Sequence, residues 1–254
     1  MLTDIILFLV GIVVGAMNAI AGGGMLIGFP VMVALGIPPI MANATSGIIT
    51  APGQLASAYG YRKYLRKVSW RYAWLLIPGV IGSAIGALLL RHTSPEHFKH
   101  LVPVLVLFAV LLFGFQPYLH FHLHKNLHGK HKRPILPLIL IGLGLLPVSI
   151  YGAYFGAGYG FMMLAFLGFT SIHDTHQINA MKNVAAIFVA VTSIIIIYSS
   201  HLINWRYGLL AGAGATVGGY IGAISAQKVS THTIRVIVLI IGFSAVLYLG
   251  LHDF

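Results

Sequence analysis

The stretch Ala21-Gly22-Gly23-Gly24-Met25-Leu26 lies in an apolar segment that carries no charged side chain from Ile5 to Met41. A glycine inside a helix costs about 1 kcal/mol relative to alanine, so three in succession predict a break in the helix. Within a bilayer, the bare N–H and C=O groups of a break are tolerated only beside protein or a water-filled cavity. The half-helix ends carry partial charges, so we expect a binding site there. A glycine-lined helix crossing is the alternative.

The same pattern recurs 136 positions further on, at Ala157-Gly158-Tyr159-Gly160-Phe161-Met162. At that offset Asn43-Ala44 matches Asn179-Ala180, and Gly82 matches Gly218. Several landmarks that match in one order indicate a tandem duplication. We therefore expect a first transmembrane repeat at 1–117, a basic, His-rich cytoplasmic linker at 118–134 and a second transmembrane repeat at 135–254.

The composition is that of a membrane protein. Hydrophobic residues make up 58% of the 254 residues and charged residues only 7%, where soluble domains carry about 25% charged. Apolar runs of roughly 20 residues follow one another, which is the signal of transmembrane helices. We predict an all-α polytopic membrane protein with two tandem homologous repeats and eight transmembrane segments, or ten if each broken first helix crosses twice. The segments are predicted at about 5–36, 41–59, 72–90, 97–115, 135–169, 175–198, 206–226 and 232–250.

The formal charge of +11 is explained by topology rather than by a nucleic-acid partner. Nine of the 15 Lys and Arg residues lie in two loops, at 62–71 and 125–133. Two crossings separate these loops, so both are expected on one side, which the positive-inside rule makes the cytoplasmic side of the inner cell membrane. The five basic residues of 60–71 contrast with Arg206 alone in 199–206. This contrast favours an inverted second repeat, which needs an odd number of crossings per repeat.

Polar residues of the second predicted helix form a stripe. They are Asn43, Ser46, Thr50, Gln54 and Ser57. Steps of three and four residues keep them on one helical face, which in lipid must point into the bundle. A polar pathway is the favoured interpretation of the stripe. Hydrogen bonding between helices is the alternative, and it is favoured for Ser57 alone.

The corresponding helix of the second half carries Gln177, Asn179, Lys182 and Asn183. Lys182 occupies the position that matches Ser46. A transmembrane lysine costs about 2.5–3.5 kcal/mol on insertion scales and usually marks a functional site. Snorkelling from the nearby helix end is the alternative.

The few acidic residues all lie at predicted segment ends. They are Asp4, Glu96, Asp174 and Asp253. A site built from glycine N–H groups, small polar side chains and one lysine suits a small anion as substrate. The candidate substrate-binding residues are Gly22, Gly23, Gly24, Asn43, Thr45, Ser46, Gln54, Gly158, Gly160, Asn179, Lys182 and Asn183. No catalytic residue, resident metal or cofactor is expected.

The chain also has 13 histidines and no cysteine. One alternative function is therefore a Ni or Zn transporter that uses His173, His176 and the linker histidines. The linker histidines are His120, His122, His124, His128 and His131. An intramembrane enzyme is the least favoured alternative, because no histidine lies near the glycine breaks.

Two glycine-broken elements, each followed by a polar helix and a Trp-led helix with spaced glycines, resemble the TauE/SafE family. The residues that carry the resemblance are Gly15 to Pro30, Gly36-Ile37-Pro38, Ala42-Asn43-Ala44-Thr45-Ser46, Trp70-Arg71, Gly79-x-x-Gly82-x-x-x-Gly86-Ala87 and a second copy at 156–223. The resemblance implies a permease for sulfite, organosulfonates or related anions. The second copy departs from the pattern at Tyr159, at Phe166 in place of Pro30 and at Met181-Lys182-Asn183, so the two half-sites are unlike.

Overall fold

The computed structural model describes residues 2–128, 137–172 and 174–226, together with 240, 243 and 244, except for the side chains of 113 and 115–128. Within these residues the regular structure is entirely helical. The helices are α1 Leu2–Ile20, α2 Met25–Ala34, α3 Pro39–Gly60, α4 Arg62–Leu65, α5 Leu76–His92, α6 Pro95–His128, α7 Leu138–Tyr154, α8 Tyr159–Leu167, α9 Thr175–Ile197 and α10 Trp205–Ser225. Short 3₁₀ segments at Trp70–Leu75 and Tyr198–Ser200 adjoin α5 and α9.

Within the described residues the predicted helices are present, with two changes in their bounds. Helix α3 begins at Pro39, two residues before the predicted bound, because the first helical position needs no N–H donor. Helix α6 continues to His128, so residues 118–128 of the predicted linker are helical. The helix predicted at 232–250 falls almost entirely outside the described residues.

Both predicted breaks separate two helices, and the chain reverses at each one. Helix α1 ends at Ile20 and α2 begins at Met25, with Gly22 at φ +97°. Gly24 lies against the backbone of Val14, so α2 folds back along α1. Helices α7 and α8 form the equivalent hairpin, in which Gly144 packs on the ring of Phe166.

Small residues allow the long helices to approach closely. Helices α1 and α10 run parallel, because Gly11 contacts Ala211 and Gly15 contacts Ala215. The backbones touch at these positions, where even an alanine in place of Gly11 or Gly15 would force the helices apart. Helix α3 lies parallel to α10 in the same way, because Gly53 contacts Ala215 and Gly60 contacts Ala223.

Helix α9 runs in the opposite direction. Gly47, in the first half of α3, contacts Ile194 near the end of α9. Tyr61, directly after α3, stacks on His176 at the start of α9. Helices α3 and α9 are therefore antiparallel.

Helices α5 and α7 lie parallel to each other and to α9. Gly82 contacts Leu146 and Gly86 contacts Ile150, which aligns α5 with α7. The Arg91 guanidinium donates to the carbonyl of Ile196 (3.2 Å), which aligns the ends of α5 and α9. Three helices, α1, α3 and α10, thus run one way, and α5, α7 and α9 run the other.

The described part of the chain contains five helices that are long and apolar enough to cross a membrane. They are α1, α5 with its 3₁₀ segment, the Pro95–Leu112 part of α6, α9 with its 3₁₀ segment, and α10. Helix α6 starts with Phe98 beside Tyr154, at the end of α7, and continues with Phe108 beside Tyr151. It is therefore antiparallel to α7 and runs back toward the end of the bundle where α4 lies.

Candidate functional site: a polar cavity at the helix breaks

A cavity of about 50 Å³ lies between the two breaks and helices α3 and α9. One water takes roughly 10–15 Å³ by this measure, so the cavity has room for a few waters or one small ion. Six of the twelve sequence candidates line it, namely Gly22, Asn43, Ser46, Gln54, Gly160 and Lys182. The other polar lining residues are Asn18, Thr50, Tyr159 and Ser193.

The two breaks touch each other at the wall of this cavity. A Cβ placed on Gly22 would lie 2.6 Å from the Cα of Gly160, and one placed on Gly160 would lie 2.5 Å from the Cα of Gly22. Neither position therefore accepts a side chain without a shift of the backbone. This contact brings the two halves of the sequence together at one site.

Lys182 is completely buried, with 0% of its surface exposed. Its Nζ donates to the main-chain carbonyl of Asn18 (2.5 Å), in the last turn of α1. That helix end carries partial negative charge, which stabilises the ammonium group. The ion pair found among the described residues joins Arg206 and Asp4 at exposed positions, and it does not involve Lys182. The alternative that Lys182 snorkels to the surface is wrong, because the whole side chain is enclosed.

Asn18 was not among the sequence candidates. Its Oδ1 accepts a hydrogen bond from the backbone N–H of Gly24 (2.9 Å), which holds the break in shape. Its carbonyl binds Lys182, so this one residue connects the break to the buried charge. A signal for it was present in the sequence, since Asn18 is the only residue with a polar side chain between Ile5 and Met41.

The second break has a corresponding contact. The Nδ2 of Asn43 donates to the carbonyl of Tyr154, the last residue of α7 (2.7 Å). Positions 18 and 154 match at the offset of the sequence pattern. At each break, the C-terminal end of the first helix is thus bound by a donor from the other half of the chain.

Several polar atoms in this region have no hydrogen-bond partner among the described residues. Two of them, Asn43 Oδ1 and Gln54 Oε1, belong to lining residues that are only 3% and 6% exposed. A buried polar atom left unpaired costs about 1–3 kcal/mol. Such atoms are therefore expected to contact water or a bound ligand.

Asn179 and Asn183 are buried on α9 but do not line the cavity. The Oδ1 of Asn179 and both amide atoms of Asn183 have no partner within the described part of the chain. Both residues are on α9, the helix that carries Lys182. The buried polar region around Lys182 therefore extends beyond the cavity lining.

The remaining candidates have contacts of a structural kind. Thr45 donates to the carbonyl of Met41 and accepts from the N–H of Asn204, where α10 begins. Gly23 packs on the ring of Phe161, and Gly24 packs on Val14. Gly158 adopts φ +79° as the N-cap of α8.

Ser57 has the role predicted for it. Its hydroxyl donates to the carbonyl of Gly53 (2.8 Å) and to that of Gly219 on α10 (3.1 Å). It therefore joins two helices and does not line the cavity. The residue at the matching position in the second half, Ser193, does line it.

The histidine hypothesis finds no support in the described residues. His176 is packed against the rings of Tyr61 and Tyr64, with centroid distances of 6.1 and 4.8 Å. In the ranges that the structure describes, no group of three His, Cys, Asp or Glu residues could hold a metal. His173, His131 and the side chains of the other linker histidines lie outside those ranges.

The three acids that the structure describes lie at helix ends, as predicted. Asp4 is in the first turn of α1 and Glu96 in the first turn of α6. Asp174 is the N-cap of α9, where its carboxylate accepts from the N–H of His176 (2.8 Å). Asp253 lies outside the described residues. None of these three lines the cavity.

Several membrane-spanning helices around a buried polar cavity define the class of a multi-pass membrane transporter. The chain belongs to the sulfite exporter TauE/SafE family, whose model matches residues 7–249. It is 32% identical over 248 residues to a probable membrane transporter protein of Haemophilus influenzae, which covers 94% of this chain and 91% of that protein.

Two further relatives have similar coverage. The probable membrane transporter protein ORF9 of Sinorhizobium sp. is 26% identical, over 94% of this chain and 88% of the relative. The probable membrane transporter protein YfcA of Escherichia coli K12 is 27% identical, over 93% of this chain and 85% of the relative. No solved structure matches the chain significantly.

Proposed function

We propose that this protein moves small anions, namely sulfite, organosulfonates or related sulfur-containing anions, across the inner cell membrane through the cavity between the two breaks. The observation that carries the proposal is Lys182. It is fully buried and lines the cavity, and no described carboxylate is paired with it. A buried charge without a counter-charge is costly, and a bound anion offsets that cost.

The other groups of the cavity are suited to an oxyanion. Lys182 has three N–H donors, one of which binds Asn18, so the ammonium can also bind an anion. The hydroxyls of Ser46, Thr50 and Ser193 can donate further hydrogen bonds. The first turns of α2 and α8 begin beside the cavity, and helix N-termini favour negative charge.

The directions of the helices support an arrangement of two inverted repeats. Helices α1 and α3 run the same way, so the chain must return through α2 between them. Counting α1, α2, α3, α5 and α6 gives five crossings in the first half. Because five is an odd number, the second half starts from the opposite side of the membrane and is inverted. The matching helices α3 and α9 are antiparallel, as this arrangement requires. We infer ten crossings, the last of them mostly outside the described residues.

This arrangement also gives the sidedness of the loops. Residues 61–69, with four Lys and Arg residues, lie at the same end of the bundle as the C-terminal end of α6, which precedes Lys130, Lys132 and Arg133 in the sequence. By the positive-inside rule this end faces the cytoplasm. The short turn between α5 and α6, and the N-terminus of α10, then face the other side.

The test is anion binding and flux with purified protein. We expect sulfite and methanesulfonate to raise the melting temperature, and proteoliposomes that contain the protein to take up radiolabelled sulfite. Lys182→Met should abolish the thermal shift and lower the flux at least tenfold, since about 1.4 kcal/mol of lost binding is tenfold. Lys63→Met, at an exposed site on α4, is the matched control and should behave as wild type.

Three results would contradict the proposal. A folded Lys182→Met protein that transports sulfite at the wild-type rate would remove Lys182 from the site. If neither sulfite nor methanesulfonate raises the melting temperature, the proposed substrate class is rejected. A shift with Ni²⁺ instead of the anions would favour the metal transporter.

A further inference from the structure

We propose that the cavity selects anions with a single negative charge, so that bisulfite and sulfonates bind and the sulfite dianion does not. This inference rests on the proposed function, in which an anion binds beside Lys182. It goes further because it names the charge state of the substrate, and sulfite exists in two charge states near neutral pH.

The inference begins with the charges in the cavity lining. Lys182 is the only charged residue among the lining residues of the described chain. Tyr159 is the only other one that can titrate, and its phenol is neutral at ordinary pH. The Tyr159 hydroxyl donates to the sulfur of Met163 (3.4 Å). The lining therefore carries one positive charge.

The described helices around Lys182 add no second charge to the lining. On α1, Asp4 pairs with Arg206 at exposed positions at the far end of the helix. On α9, Asp174 and His176 lie at the first turn, where His176 contacts Tyr61 and Tyr64.

The other neighbouring helices likewise add no charge to the cavity lining. On α5, Arg91 is exposed and binds the carbonyl of Ile196. On α7, Tyr151 is a neutral phenol that donates to the carbonyl of Ala157 (2.7 Å). The basic residues of α4 lie at the end of the bundle, and neither Arg62 nor Lys63 lines the cavity.

Charge balance then decides between the two forms of the anion. A monoanion beside Lys182 makes the site neutral, whereas a dianion leaves one negative charge without a partner. An uncompensated charge in a site of low dielectric constant is strongly unfavourable. The carbonyl of Asn18, which already binds the ammonium, carries the partial negative charge of a helix C-terminus. It reduces the positive potential that remains for the anion, which disfavours a dianion further.

The difference between the two halves supports the same conclusion. Lys182 matches Ser46 in the first half, and both residues line the cavity. Two lysines at these matching positions would place two positive charges around one site and would suit a dianion. Only one of the two matching positions is a lysine, so the cavity lining has a single positive charge.

The first experiment measures binding to the wild-type protein over a range of pH. The apparent Kd of sulfite is compared with that of methanesulfonate, which remains a monoanion throughout. Any titration of the protein itself affects both ligands, and the ratio of the two Kd values cancels it. Above the pH at which bisulfite and sulfite are equal, we expect the ratio of sulfite Kd to methanesulfonate Kd to rise tenfold per pH unit.

Either of two results would overturn the inference. One is a ratio that stays constant or falls as the pH rises, and the other is competition by sulfate at concentrations similar to methanesulfonate. If neither sulfite nor methanesulfonate binds at any pH, the proposed function itself fails, and this inference fails with it. The two failures are therefore distinguishable.

The second experiment adds a second positive charge to the cavity lining. Ser46→Lys places a lysine at the position that matches Lys182, and we expect it to raise the affinity for sulfate at least tenfold. Ser46→Met is the control for size. A folded Ser46→Lys protein that binds sulfate no better than wild type would count against the inference. If this variant does not fold, as judged by gel filtration, the pH series still decides the question.

Discussion

Lys182 and Asn18 are joined by a hydrogen bond from the Nζ of the lysine to the main-chain carbonyl of the asparagine, across 164 positions of the sequence. The side chain of the same asparagine binds the N–H of Gly24 (2.9 Å). One residue thus stabilises the glycine break and holds the buried charge beside it. The position of the charge relative to the break depends on this contact.

Two substitutions of Asn18 separate these roles. Asn18→Asp keeps an acceptor for the Gly24 N–H but adds a carboxylate next to Lys182. The new carboxylate should neutralise the ammonium and weaken anion binding at least tenfold, while the protein still folds. Asn18→Ala removes the side-chain amide, and with it the acceptor for the Gly24 N–H, without adding a charge; we expect it to cost about 1 kcal/mol of stability. Thermal unfolding and methanesulfonate titration measure the two effects. Unchanged anion affinity in Asn18→Asp would argue against a substrate site beside Lys182.

The contact between the two breaks predicts that Gly160→Ala is harmful. Its Cβ would lie 2.5 Å from the Cα of Gly22, so the backbones must separate. Overpacking of this kind costs about 1–3 kcal/mol. We expect a lower melting temperature and reduced anion binding. The matched control is Gly79→Ala on α5, whose Cβ would find its nearest neighbour at an ordinary 3.9 Å. Equal stability of the two variants would mean that the breaks do not touch.

The polar stripe on α3 divides into two functional parts, which a pair of substitutions can test. Gln54→Met removes an amide whose Oε1 has no partner among the described residues. It should weaken anion binding severalfold with little change in stability. Ser57→Ala removes the bonds to Gly53 and Gly219. It should lower stability by about 0.5–1.5 kcal/mol and leave anion affinity unchanged. If Ser57→Ala weakened anion binding and Gln54→Met lowered stability instead, Gln54 would not be a residue of the binding site.

The topology can be tested by cysteine labelling, because the chain contains no cysteine. We expect Lys67→Cys and Lys130→Cys to be inaccessible to a membrane-impermeant maleimide in intact cells, and His201→Cys to be labelled. Helix α9 starts at the same end of the bundle as residues 61–69 and runs away from it, so His201 lies at the other end. Labelling Lys67 and Lys130 from opposite sides of the membrane would contradict the proposed arrangement of crossings.

The sequence by itself determined the class of the protein and the position of each break. A charged fraction of 7% and successive apolar runs predicted helices in a membrane, and most of the described helices begin and end within a few residues of the predicted bounds. The glycines at 22–24 and at 158 and 160 predicted both breaks. Such features depend on residues within one or two turns of each other, so local propensity and periodicity are sufficient to predict them.

Only the tertiary structure decided which polar residues meet. Thr45 and Ser46 are neighbours in the sequence, yet Thr45 binds Asn204 at the start of α10 while Ser46 faces the cavity. Ser57 joins α3 to α10, whereas the matching Ser193 lines the cavity. The contacts of a helical face depend on the direction and rotation of the helix beside it. Those are set by close packing of glycine faces distant in the sequence, such as Gly11 on Ala211 and Gly22 on Gly160, which a local pattern does not specify.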